Sequence, residues 1–127
     1  MQKAEVVVSA FVATDLSVRT KSFALRIIRL FQSLPSTVEG QVIGKQVLRS
    51  GTSVGAQYRE AKRARSKAEF HSKLESALQE LEETGYWLEL LVESGIVSEE
   101  KLSLLPQEQD ELTAILVTAT NTAKTNK

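Results

Sequence analysis

The residues best placed to do chemistry lie between Lys45 and Lys67. Seven cations stand there, Lys45, Arg49, Arg59, Lys62, Arg63, Arg65 and Lys67, against one acid, Glu60. Between Glu75 and Glu111 the balance inverts, with eleven acids and only Lys101. Ammonium and guanidinium groups at this density suit phosphate, because each one docked on a nucleic-acid backbone releases condensed counterions. Lys45, Arg49, Arg59 and Arg63 also share one helical stripe, in which the small Thr52 and Ala56 lie between them. Such a stripe either follows a phosphate backbone or is a solvated helix face. Formal net charge is zero over 127 residues. Only the segregation of charge, not its balance, therefore speaks for a nucleic-acid partner.

Catalytic and metal chemistry have few candidates. His71 is the only histidine, and its neighbours one helical turn away, Lys67 and Glu75, mark a surface position. Ferritin-like di-iron bundles need Glu-x-x-His pairs, and Ala68 stands three residues before His71. With no cysteine there is neither a disulfide nor a thiolate ligand, which is compatible with a reducing, cytoplasmic location. The small-residue run Ser50 to Ala56 lacks the GKS or GKT and the preceding strand of a phosphate-binding loop. No nucleophile, base and orienting group converge, so the expectation is a non-enzyme with no cofactor and no metal.

Helices must position the charges. Few aromatic residues and only two prolines favour an all-α domain. After a possible cap at Asp15 or Ser17, Phe23, Ile27, Leu30, Phe31 and Leu34 form one apolar face, ended by Pro35. Ser36 to Glu39 fits a capping box opening a second helix, with Val47, Val54 and Ala61 spaced by sevens. A second capping box, Ser66 to Glu69, opens a third helix. Its seam runs Phe70, Leu74, Ala77, Leu81, Thr84, Leu88 and Leu91, as in an antiparallel bundle. Gly95 stops it. Ser98 caps a short piece to Leu105, and Pro106 opens a last helix carrying Leu112, Ile115, Leu116 and Ala119.

The expected fold is an antiparallel up-down-up-down four-helix bundle over residues 17–123, with a short helical segment before the last helix. Residues 1–16 form an N-terminal extension, extended or disordered, and 124–127 a frayed tail. The apolar run Val6 to Ala13 is too short to span a membrane, and its thin basic flank makes a poor signal peptide. Alternating helices place Arg19, Lys21, Arg59, Lys62, Arg63, Arg65, Lys67, Lys73, Lys124 and Lys127 at one pole. Glu39, Glu89, Glu93, Glu99, Glu100, Glu108, Asp110 and Glu111 go to the other.

Two features exceed what a lone bundle needs. Gly51 and Gly55 each cost a helix about 1 kcal/mol relative to alanine, so a neighbouring helix or subunit should approach closely there. Trp87 and Leu90 lie off the seam, with Tyr86 flanking it. These five residues are the expected oligomer interface.

The stretch Arg49-Ser50-Gly51-Thr52-Ser53, Gly55-Ala56, Arg59-Glu60-Ala61, Ser66, Phe70, Lys73, Ala77-Leu78, Glu80, Glu83-Thr84 and Tyr86-Trp87-Leu88 resembles a bacterial family. Its members include four-helix-bundle proteins encoded in intervening sequences of large-subunit ribosomal RNA genes. Looser resemblance extends from about Ser22 to Ala119. It implies a bundle that assembles as a ring, typically a homopentamer, with a poorly defined cellular role. A related branch looks like the accessory proteins of diversity-generating retroelements, which are basic pentamers contacting nucleic acid and a reverse transcriptase. The neutral charge here departs from that branch. Gln57 stands where the family more often has asparagine, and Gly85 where a charge is common. Two functions follow as expectations: a ring-forming scaffold that binds RNA or DNA through its basic pole, or an oligomeric adaptor for a protein partner. The adaptor would use the acidic pole or the glycine-rich groove.

Overall fold

Pro35, three capping hydroxyls and one left-handed glycine divide the chain into helices. The computed structural model describes the backbone of residues 2–125 and the side chains of residues 16–123. It contains α1 (Gln2–Gln32), α2 (Val38–Lys62), α3 (Lys67–Glu93), α4 (Glu99–Leu102) and α5 (Leu105–Thr125), with no strand among the described residues. Neither Asp15 nor Ser17 begins α1, because no proline or glycine interrupts the sequence from Gln2 to Gln32. The side chains of residues 1–15 and 124–127, and with them those of Lys124 and Lys127, lie outside the described residues, whereas the backbone from Gln2 onward, expected as an extended or disordered arm, is the first part of α1.

The caps follow the sequence with one shift. The turn after Pro35 takes up Ser36, so Thr37 is the residue that caps α2, its hydroxyl accepting from the Gly40 amide at 3.2 Å. Glu39 therefore sits one position too early for a capping box. Ser66 caps α3 as expected, accepting from Glu69 at 3.0 Å, while the Glu69 carboxylate reaches back to the Arg65 amide. Gly95 ends α3 with φ +78°, a conformation that L side chains rarely adopt. Ser98 caps α4, and Ser103, also at positive φ, separates α4 from α5. The short helix thus ends at Leu102 rather than Leu105, and Pro106 falls in the first turn of α5, where its missing amide costs nothing.

The four long helices close a cycle: α1 packs on α2, α2 on α3, α3 on α5, and α5 more lightly on α1. Leu16, Phe23, Ile27, Leu30 and Leu34 of α1 meet Val47, Val54, Tyr58 and Ala61 of α2 in one core. Leu74 to Leu91 of α3 and Leu112 and Leu116 of α5 complete it, while Val97 and Leu102 plug one end. Each such side chain contributes about 1.5–3 kcal/mol by leaving water. Phe70 does not join the seam and remains 36% exposed. It lies in the first turns of α3, level with the end of α2, where Lys73 pairs with Glu60.

Gly51 and Gly55 are buried against α1 of the same chain. A Cβ at Gly51 would sit 2.8 Å from Ile27 Cγ1, and one at Gly55 3.0 Å from Thr20 Oγ1. The backbone approach expected at these glycines is thus made inside the monomer, and α1 fills the groove a partner would have entered. The buried hydroxyls are all satisfied. Thr20 and Thr120 bond the carbonyls of Leu16 and Leu116, one turn earlier. Thr84 lies 2.8 Å from both Ser50 Oγ and the Glu80 carbonyl oxygen. With one proton, it donates to one and accepts from the other.

Three stability predictions follow from close approaches and buried hydroxyls. Gly51→Ala gains about 1 kcal/mol of helix propensity but overpacks a β-branched side chain by roughly 1–3 kcal/mol, so a lower urea midpoint is expected. Gly85→Ala meets only the flexible end of Gln109, at 2.8 Å, and should be neutral or stabilising in the same titration. Thr84→Val strands the Ser50 hydroxyl and should cost about 1–3 kcal/mol, most of it recovered in the Ser50→Ala, Thr84→Val double variant.

Candidate nucleic-acid interface

The cations of the basic stretch divide into engaged and free. Arg49, near the middle of α2, donates to Glu80 at 2.9 Å and to Glu83 of α3. Two carboxylates thus neutralise it, and the helical stripe from Lys45 to Arg63 is interrupted at its second member. Lys45 stays exposed but isolated near the start of α2. Lys62 donates to Ser17 of α1 at 3.0 Å and stands 5.9 Å from the centroid of the Tyr58 ring. Burial raises the Tyr58 phenol above its ordinary value, so this ring is neutral at physiological pH. Lys73 pairs with Glu60 at 3.0 Å.

What remains is a compact set at the α2–α3 turn. Arg59, Arg63, Arg65 and Lys67 are exposed, and none has a side-chain partner among the described residues. The turn holds them together because α2 stops at its cap Arg63 and α3 starts after its cap Ser66, leaving two residues, Ala64 and Arg65, between the caps. Cations in the last turn of α2 also offset the negative end of its dipole.

The poles are less cleanly separated than the alternating layout predicts. Arg19, assigned to the basic pole, grips Glu108 of α5 with two bonds, 2.6 and 3.1 Å, and reaches Glu111 at 3.3 Å. The reason is where α5 enters. Gln109 donates to the Leu81 carbonyl at 3.3 Å, well inside α3, which brings Glu108 within reach of an arginine on α1. Glu89, Glu93, Glu99 and Asp110 do collect at the far end, around a cleft of about 470 Å³ floored by Leu88, Val92 and Leu102. Among the described residues no set of three or more acidic or histidine side chains is arranged to hold a metal ion. His71 Nε2 lies 3.2 Å from Glu75 Oε1, one turn further along α3.

The aromatic pair of α3 has an intramolecular role invisible in the spacing. Trp87 Nε1 donates to Glu83 at 3.1 Å, the same carboxylate oxygen that receives Arg49. Trp87 is half-buried against the core, and Tyr86 meets it edge-on at 5.1 Å while remaining 52% exposed. Leu90 is half-buried. Of the five residues expected at an oligomer interface, Tyr86 presents the most surface, and Gly51 and Gly55 present none. The i, i+4 spacing of Glu83 and Trp87 was the available signal for this relay, but its third member, Arg49, comes from another helix.

This arrangement can be set beside known proteins. The family model for the 23S rRNA-intervening sequence protein matches residues 14–118. A crystal structure of a Bacteroides thetaiotaomicron VPI-5482 protein of unknown function, from the S23 ribosomal protein family, superposes with a TM-score of 0.80. The two share 37% identity over 86% of this chain and 97% of that one. No curated protein matches. The matched residues run from within α1 to within α5 and take in all of α2 and α3, and the chain belongs to the 23S rRNA-intervening sequence protein family.

Proposed function

We propose that this protein is a non-enzymatic, homo-oligomeric scaffold that binds nucleic acid, RNA or DNA, through the α2–α3 turn. The observation that carries this reading is the division of the cations. Arg19, Arg49, Lys62 and Lys73 are spent within the chain, whereas Arg59, Arg63, Arg65 and Lys67 face water together without partners. Alternating helix directions support the pole. Arg49 pairs with Glu83 and Glu60 with Lys73, while Gly51 meets Ile27 and Gly55 meets Thr20, so position rises along one helix as it falls along the next. In a ring, the homopentamer implied by the resemblance, five such turns would form one basic annulus. Exposed Tyr86 beside half-buried Leu90 is the surface we assign to self-association.

The cleft at the other end favours a second function, an adaptor for a protein partner. Its apolar floor and four carboxylates suit a basic peptide.

Salt titration of RNA and DNA binding distinguishes the two. Four phosphate contacts on a single strand predict a slope of roughly −3 in log affinity against log salt. The Arg59→Glu, Arg63→Glu, Arg65→Glu variant should lose binding at low salt while keeping its helical circular dichroism. Absence of any nucleic-acid binding at low salt would leave only the adaptor. For assembly, light scattering of Tyr86→Glu, which adds a charge at an exposed position, should give a smaller mass than the parent protein. An unchanged mass would move the interface elsewhere.

A further inference from the structure

We propose that Phe70 is a base-stacking platform, so that the strand held by the basic turn is single-stranded. This rests on the nucleic-acid reading above and narrows it to a substrate class. Phe23 is fully buried and Phe31 half-buried, yet Phe70 is exposed at 36%. Its place in the helix lacks the apolar partner such a position ordinarily has. It is the fourth residue after the Ser66 cap, where an apolar side chain ordinarily packs on the residue before the cap. That residue is Arg65, and no ring or cation contact to Phe70 occurs among the described residues. Lys67 lies one turn before it on the same face and Lys73 one turn after, the latter neutralised by Glu60. Phe70 thus sits at the edge of the only free cations of the turn.

An aromatic face beside unpaired cations is the arrangement that holds single strands: the cations track phosphates, and the ring stacks on whichever base is unpaired. A duplex keeps its bases stacked on each other and gains nothing from Phe70. Charge also argues against a second copy as the occupant. A two-fold contact through Phe70 would set Arg59, Arg63, Arg65 and Lys67 of one copy against the same four of the other.

The test is fluorescence anisotropy of labelled oligo(U) and oligo(dT) against a duplex of equal length, at fixed salt. Phe70→Ala and Phe70→Leu should bind the single strands about tenfold more weakly, while Phe70→Tyr keeps parent affinity. Duplex affinity and the salt slope should not change in any of them. Circular dichroism and light scattering on the same samples establish that fold and mass are unaltered. Equal losses on single strand and duplex, parent affinity in Phe70→Leu, or a drop in oligomer mass with binding intact would each overturn the platform. If the parent binds and the triple glutamate variant does not, but Phe70 variants match the parent, the platform falls and the basic turn stands. If the parent binds no nucleic acid at low salt, both fall.

Discussion

Where α1 crosses α2, Ile27 occupies the space that a side chain at position 51 would need, and Thr20 does the same at position 55. Two helices that approach this closely cannot slide or rotate without a clash, so the register of α1 against α2 is fixed by missing atoms rather than by added contacts. Everything else inherits that register. Phe23 and Leu30 reach the core beside Val47 and Val54 because Ile27 is seated. Lys62 meets Ser17 because the end of α2 lies beside that turn of α1, and it reaches the Tyr58 ring one turn back on its own helix.

The second helix is bound on its other side by polar chemistry. Arg49, Glu80, Glu83 and Trp87 form a relay at the surface of the α2–α3 seam, and Ser50 with Thr84 forms a buried pair just beneath it. The two layers do different things. Exposed ion pairs with about half of the arginine in water add little stability, typically under 1 kcal/mol. The buried hydroxyl pair is costly to break from one side. The relay's larger consequence is electrostatic, since it removes Arg49 from the pool of available cations and concentrates what remains at the turn.

The elements and most of the core were legible in the residues themselves. Leu74, Ala77, Leu81, Thr84, Leu88 and Leu91 are all buried as their spacing requires, as are Val47, Val54 and Ala61. Phe70 fits the same spacing and is exposed, because periodicity reports a face of one helix and not how much of that face its neighbours cover. Ser36 and Thr37 are chemically equal caps, and only the path of the chain after Pro35 chooses between them. Gly51 and Gly55 announced a close approach without saying whose backbone approaches.

The candidate site shows the same boundary. Sequence by itself determined that cations cluster from Lys45 to Lys67, that four long helices would carry them, and that capping serines would put a tight turn in their midst. These are local properties, set by neighbours one turn away. Which cations are free was decided only by tertiary structure, because an ion pair depends on the distance between side chains far apart in the chain. Arg49 meets Glu83 across a helix pair, and Arg19 meets Glu108 because α5 enters beside Leu81. No spacing rule along one helix encodes those meetings; the packing of apolar faces does, and the charges fall where that packing leaves them.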